Sequence, residues 1–315
     1  MNRRSFLRTA TGALSSAFLA SQMVEHVAAA DSRRSGFELK LLATSWGYSG
    51  TFDAYCARIK DAGYDGIELG WPEDPRFRDE VFAALGRHDL DVAFICIVLR
   101  PDGGFEQHLE RFTRVMQEAV RPTARAPLYL DCHSGRDYYD FAQNKAFYDR
   151  ARDAASGTSL KVLHETHRSR MLYAPAVARN YMQQIPGMRI ALDLSHWCVV
   201  SESLLEDQTD TVRMAIERTD AVSARVGHAQ GPQVADPRAP AWAEALSAHL
   251  AWWDAVVELK RERGEPLTIT PEFGPPDYMP TTPYERQPIA DQWAINLHML
   301  QLLRKRYATP VAATG

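Results

Sequence analysis

The chain of 315 residues has few cysteines, no excess of positive charge, no linker-like stretch and no hydrophobic run of membrane-spanning length. Its four cysteines, Cys56, Cys96, Cys132 and Cys198, show no Cys-x-x-Cys spacing, so they read as buried thiols rather than a disulfide framework. Lys plus Arg number 36 against 40 Asp plus Glu, a formal charge of −4, which argues against a basic nucleic-acid binder. Gly and Pro stand at 18 each beside 45% hydrophobic and 10% aromatic residues. That balance excludes a disordered, collagen-like or low-complexity chain.

The first thirty residues read as an export signal. Arg3-Arg4-Ser5-Phe6-Leu7-Arg8 resembles the twin-arginine motif, and residues 9–24 are modestly apolar before Ala28-Ala29-Ala30. Cleavage is predicted before Asp31, giving a signal peptide over 1–30 and a more acidic mature domain over 31–315. The apolar stretch is rich in Ser and Thr and falls below the ~20 residues of a membrane anchor. A periplasmic or secreted protein, free of the membrane once the signal is removed, is the expectation.

From Leu39 onward, short β-branched or apolar runs alternate with longer amphipathic ones. Strands are predicted at 39–44, 66–69, 92–98, 128–132, 160–164, 190–192, 222–226 and 267–270. Helices are predicted at 51–62, 76–88, 105–120, 138–155, 175–184, 203–217, 240–263 and 288–307. In the first, Phe52, Tyr55, Cys56 and Ile59 recur at i, i+3, i+4 and i+7. Eight strand-helix units with a period of roughly 33 residues predict a single (β/α)8 TIM barrel. A doubly wound open sheet would also alternate, but Ala43 to Gly50 after the first strand lacks the Gly-x-Gly-x-x-Gly phosphate turn.

Barrel chemistry is built where strands end. Here strand ends carry Glu68, Glu165, Asp193 with His196, His228 and Glu272. Glu165, Asp193, His228 and Glu272 are each separated by about one βα unit, so they can converge from strands five to eight. Three carboxylates and an imidazole suit one divalent metal ion, Mn²⁺ first, with Mg²⁺, Co²⁺ or Zn²⁺ as alternatives. A single strand-end Asp or Glu is more often a helix cap or a surface ion-pair partner, but four on consecutive strands are hard to assign to caps. His88, His108, His249 and His298 fall on predicted helices and read as structural.

The runs Gly63-Tyr64-Asp65-Gly66-Ile67-Glu68-Leu69, Asp193-Leu194-Ser195-His196 and His228-Ala229-Gln230, with Glu272 on its strand, resemble the xylose isomerase-like TIM barrels. That family includes sugar phosphate isomerases and epimerases, ketose 3-epimerases, hydroxypyruvate isomerase and type-2 AP endonucleases. The resemblance runs from the first strand to the eighth. It implies that Glu165, Asp193, His228 and Glu272 hold one divalent metal and that Glu165 and Glu272 exchange a substrate proton from opposite faces. The chemistry agrees, because a proton next to a carbonyl leaves only if the developing enediolate is stabilised. His196 would bond substrate oxygens or orient the ligand shell, Arg238 resembles the family's loop arginine, and a homo-oligomer is implied. His133 resembles a metal ligand of the nuclease branch. However, Ile95 to Arg100 includes no histidine and no Asp-x-His pair follows His228, so His133 is read as substrate-binding and no nucleic-acid partner is expected.

Export favours a non-phosphorylated sugar or keto-sugar as the small-molecule partner. Trp46, Trp71, Tyr138, Trp197 and Phe273 lie near strand ends, where they could stack on a pyranose ring or simply pack loops. His167 and Arg168 could add an acid or an anion clamp. The expected catalytic pair is Glu165 and Glu272, and the candidate substrate-binding set is His196, His133, Glu68, His167, Arg238 and Trp46. The expected activity is a metal-dependent sugar isomerase or epimerase. A 3-keto-glycoside lyase or hydratase on the same site is the first alternative, and a non-catalytic secreted sugar-binding protein the second.

Overall fold

The computed structural model describes residues 36–99 and 103–308; the expected export signal over 1–30 lies outside them. Eight parallel strands close into a barrel in chain order, with β8 pairing back onto β1. They are β1 (Leu39–Thr44), β2 (Gly66–Gly70), β3 (Asp91–Cys96), β4 (Leu130–Cys132), β5 (Val162–Glu165), β6 (Ile190–Leu192), β7 (Thr219–Ala224) and β8 (Leu267–Pro271). Nine helices are described around them: α1 (Phe52–Ala62), α2 (Pro75–His88), α3 (Phe105–Ala119), α4 (Phe141–Ala155), α5 (Pro175–Gln184), α6 (Leu194–Ser201), α7 (Thr209–Ile216), α8 (Ala243–Arg263) and α9 (Gln292–Arg306). The chain is a single (β/α)8 TIM barrel.

Local chemistry sets the helix ends. Thr51 caps α1 through Ala54 N, Asp140 and Gln143 form a capping box on α4, and Gly63 closes α1 at φ 90°, where a side chain would be strained. On α1, Tyr55, Cys56 and Ile59 are the buried face.

Along each strand, alternate side chains face opposite sides. Ile67 and Leu69, Val92 and Phe94, Ile190 and Leu192, and Val222 and Ala224 belong to the core shared with the helices. Leu42, Ala93, Tyr129, Leu163, Ala191 and Ala221 form a second cluster inside the barrel. Two residues on from Leu42, Tyr129, Leu163, Ala191 and Ala221 the inward line turns polar, whereas from Ala93 it continues as the apolar Ile95. This parity decides which residues reach the mouth.

Several element ends shift by two to six residues from expectation, and two of these differences bear on the site. β7 begins three residues earlier than predicted and ends at Ala224. Helix α6 follows β6 with only Asp193 between them, because the Asp193 carboxylate accepts the Ser195 N–H at 2.8 Å and starts a helix where a loop was expected.

At the opposite face of the barrel, Asp220 accepts two bonds from Arg189 at 2.8 Å and one from the fully buried Lys260 at 2.5 Å. Burial works against the Asp220 carboxylate, but Arg189 and Lys260 outweigh it and bring its pKa down to about 2. Asp220→Ala leaves Lys260 buried with only Glu265 beside it. Urea unfolding is expected to show a loss of about 3–5 kcal/mol.

Two buried histidines predict acid lability. His249 donates Nδ1–H to Ala245 O and accepts the Gly227 N–H, and burial holds its pKa down at about 4. His164, against Ser134, is held by burial at about 3. Both are neutral in the folded and unfolded states above pH ~6.5. Below it only the unfolded chain takes up protons, so stability falls as pH drops towards 4, by up to about 1.4 kcal/mol per pH unit for each histidine. The raised carboxyls, Glu165 and Glu68 among them, act in the opposite direction over this range, so the test is the pH 7 to pH 4 slope of denaturation midpoints in the parent against His249→Asn; an identical slope in both would refute the histidine contribution.

Candidate active site

The mouth is assembled by the inward parity. Thr44 and Trp46 follow Leu42, Glu68 follows Gly66, and Asp131 and His133 follow Tyr129. Glu165 and His167 follow Leu163, Asp193 follows Ala191, Arg225 follows Ser223, and Glu272 follows Thr270. Helix α6 adds His196 from its first turn. The Thr166 hydroxyl joins β5 to β6 by accepting Asp193 N–H at 2.8 Å and donating to Asp193 O at 2.9 Å.

Among the described residues, two groups of potential metal ligands share Glu165: His133, Glu165 and His167, and Glu165, Asp193 and His196, with ligand atoms in each group within 4.8 Å of one another. His133 Nε2 abuts Glu165 Oε2. The His167 ring lies 4.9 Å from that of His133 and 3.9 Å from that of His196. Burial, with the neighbouring guanidiniums, lowers all three imidazole pKa values, keeping a lone pair free for coordination.

Arg225 dominates the other side. It is 1% exposed, and its Nη2 donates to Asp193 Oδ2 at 2.6 Å and Glu272 Oε2 at 3.1 Å. The guanidinium faces the Tyr278 ring at 4.7 Å and the Trp46 ring at 5.7 Å. Burial opposes its charge, and the two carboxylates more than restore it, so it stays protonated. Gly274 allows this packing, because a Cβ there would run into the Trp46 indole.

Five buried carboxyls, Glu68, Asp131, Glu165, Asp193 and Glu272, face only two buried guanidiniums, Arg225 and Arg170, at this mouth. The imbalance shows in the acids. Burial and then the Asp193 charge raise Glu165 to about 8. Burial raises Glu68 to about 7 despite the 2.7 Å bond from the Tyr129 hydroxyl. Asp131 and Glu272 are also pushed well up, first by burial. A cavity of about 390 Å³ opens onto Glu68, Glu272, Arg225, Arg170, His133, His167, Trp46 and Tyr278, with an apolar wall of Leu69, Ile95, Ile97 and Leu99.

Of the expected metal quartet, Glu165 and Asp193 come together, and Glu272 lies across Arg225 from Asp193. His228 is not brought in. Val222, Ala224 and Val226 pack outward, so the inward line of β7 runs through Ala221, Ser223 and Arg225. His228 instead sits half-buried in the following turn, where its Nδ1 accepts the Gln230 N–H and its ring lies 4.7 Å from that of Trp242. Arg238 is exposed and held by Asp236 at 2.6 Å, away from the cavity wall. Of the five aromatic candidates only Trp46 lines the cavity; Trp71, Trp197 and Phe273 are core residues and Tyr138 is exposed. Sequence reasoning missed Arg225, Arg170, Asp131, Tyr129 and Tyr278. For Arg225 a signal existed, since Ala221 and Ser223 are the small residues that suit a barrel interior.

The residues present fit a divalent cation, with Glu165 and Asp193 of the expected four among the clustered donors. Glu165 Oε2, His133 Nδ1, His196 Nδ1 and Asp131 Oδ1 are buried without a hydrogen-bond partner, and the acid excess calls for positive charge. The donors lie on the β4–β6 side, with Arg225 standing where the β7 ligand was expected.

No protein-family profile matches the chain, and no curated protein does. Solved structures do. The 3-keto-D-glucoside 4-epimerase from E. coli superposes with a TM-score of 0.54 at 15% identity, covering 85% of this chain and 100% of that one. Endonuclease IV from Thermus thermophilus gives 0.53 at 12%, covering 84% and 98%. A xylose isomerase-like TIM barrel protein from Mycobacterium smegmatis in complex with magnesium gives 0.53 at 11%, covering 75% and 91%. At these identities the likeness is one of fold alone, the (β/α)8 barrel that this chain shares with those structures.

Proposed function

We propose that the chain is a divalent-cation-dependent sugar isomerase or epimerase, moving a proton beside the carbonyl of a non-phosphorylated sugar or keto-sugar. The observation that carries this reading is the division of the mouth. Carboxylates and imidazoles gather around Glu165, beside a cavity whose wall holds two more carboxyls, Glu272 and Glu68. Glu165, Asp193, His133, His167 and His196 are the residues that would hold the cation. When bound, it supplies Lewis acidity to the substrate oxygens as negative charge develops. An imidazole-rich set favours Zn²⁺ or Co²⁺ over the Mn²⁺ expected from the original quartet.

The chain's own groups then divide the work. Glu272 faces the cavity, where its pairing with Arg225 favours the carboxylate against burial, and in that ionised form it takes the proton. Glu68, held by Tyr129 and titrating near neutrality, is placed to return one. Glu165 lies behind His133, off the cavity wall, and is assigned to the cation rather than to the proton. His196, fully buried, is assigned with it. Trp46 and Tyr278 cover Arg225 and hold water away from its ion pairs. The 3-keto-D-glucoside 4-epimerase and the magnesium-bound barrel among the similar structures are in keeping with this reading, as is the export expected from the twin-arginine run.

The neutral form of Glu68 on the wall also suits protonation of a leaving group, which favours the 3-keto-glycoside lyase as the second reading. Cation-loaded protein incubated in D₂O with keto-sugars and 3-keto-glycosides separates the two by NMR. Deuterium next to the carbonyl with epimer formation is expected. Release of the aglycone would select the lyase, and no exchange across the whole panel would leave a binding protein.

A further inference from the structure

Proton transfer leaves unused a group of guanidiniums of which one, Arg170, lines the cavity. Arg136, Arg168 and Arg170 come from the loops after β4 and β5, and none makes an ion pair among the described residues. Arg136 Nη2 bonds the Leu99 carbonyl at 2.9 Å, and Arg168 lies 4.8 Å from the Tyr278 ring centre. Arg170 is the innermost, 6% exposed and on the cavity wall, and both its Nε and Nη1 lack a partner. Arg225 presents a further unpartnered Nη1 to the same cavity.

Buried guanidinium N–H groups without acceptors are costly. No carboxylate pairs with Arg170 among the described residues; Glu165 and Asp137 act on it only through space, and Arg136 is its strongest charged neighbour. Burial and then Arg136 bring its pKa down to about 10, so it remains a cation at neutral pH. A fixed, desolvated cation with free donors on a cavity wall is a receptor for an anion brought in by the ligand.

We propose that the substrate is an acidic monosaccharide, a uronic acid or its keto form, whose carboxylate lies against Arg170 with Arg136 and Arg168 behind it. The proposal rests on the proton-transfer reading and adds the substrate class to it. The apolar wall of Leu69, Ile95, Ile97 and Leu99 takes the ring face, and Glu272 and Glu68 face the reacting carbon. The cavity of about 390 Å³ is within the size range of small-ligand sites. Of these cations only Arg170 and Arg225 line the cavity, and Arg225 is already paired with Asp193 and Glu272, so one unpaired positive charge meets the ligand, and a carboxylate matches it better than a phosphate dianion.

Calorimetric titration of the Zn²⁺-loaded protein with D-glucuronate, D-glucose and D-glucose 6-phosphate, and with the galactose series, tests this. The uronate is expected to bind at least about 10-fold more tightly than the neutral sugar and than the phosphate. Arg170→Gln is expected to erase that preference, and Arg170→Lys to keep part of it, with zinc content and melting temperature unchanged in both. Equal binding of acid and neutral sugars, a preference that survives in Arg170→Gln, or tighter binding of the phosphate would overturn the proposal. Should Arg170→Gln not fold, Arg168→Gln, half-buried against Tyr278 of the cavity lining, is expected to weaken uronate binding several-fold and leave D-glucose unaffected.

Solvent exchange keeps the two ideas apart. Deuterium uptake by neutral keto-sugars, with no uronate binding, would sink the acidic substrate and leave the proton-transfer reading standing. Uronate binding that depends on Arg170, with no exchange in any ligand, would do the reverse.

Discussion

Arg225→Met is expected to destabilise the protein by about 3–5 kcal/mol, with a larger loss at pH 8 than at pH 5. The guanidinium is buried and bridges Asp193 at 2.6 Å and Glu272 at 3.1 Å. Its removal leaves two carboxyls unpaired among Glu68, Asp131 and Glu165. Without the guanidinium that opposes its burial, Glu272 is raised further above its unfolded value, so the folded state binds more protons than the unfolded state between the two values. Stability therefore falls as pH rises through that window. Urea unfolding at the two pH values measures the difference. An equal loss at both would mean that Arg225 acts through packing against Tyr278 and Trp46 rather than through charge.

Glu165→Gln is expected to move stability and function in opposite directions. The carboxyl is shared by both donor groups, so its neutral isostere is expected to lose the divalent cation and to slow solvent exchange by roughly 10³-fold or more. The cation-free variant is expected to be at least as stable as the cation-free parent. Burial and Asp193 raise Glu165 to about 8, so the fold carries a carboxyl that is less readily ionised than in the unfolded chain, at a cost that grows with pH above about 4.3. Elemental analysis and thermal unfolding of chelated samples read the two effects. Retention of the cation, or a destabilised chelated variant, would remove Glu165 from the centre of the site.

Much of this arrangement is legible in the sequence because the barrel repeats its grammar. Short apolar runs end in a carboxylate, and the strand-helix period places those ends on one rim, so Glu68, Glu165, Asp193 and Glu272 are found without coordinates. What the sequence conceals is parity. A strand boundary misplaced by three residues, as in β7, exchanges the inward and outward sets, and His228 is then chosen over Arg225. Asp193 is both a helix cap and a site residue, one oxygen on Ser195 N and the other on Arg225. A reading that sets cap against ligand as alternatives cannot express that. Arg238 illustrates the other limit: its ion pair with Asp236, two residues away, is a local contact that holds it off the cavity. Arg170 depends on a turn after His167, with Ser169 at φ 60°, which no periodicity announces.

The displacement of the cation site towards β4–β6, with Arg225 in place of a β7 ligand, is the claim on which the rest depends. Anomalous scattering from crystals grown with Co²⁺ or Zn²⁺ measures it directly. The account predicts a peak ligated by Glu165 together with His133 and His167 or with Asp193 and His196, with Arg225 still bridging Asp193 and Glu272. A peak ligated by His228 and Glu272, with Arg225 swung away, would contradict it.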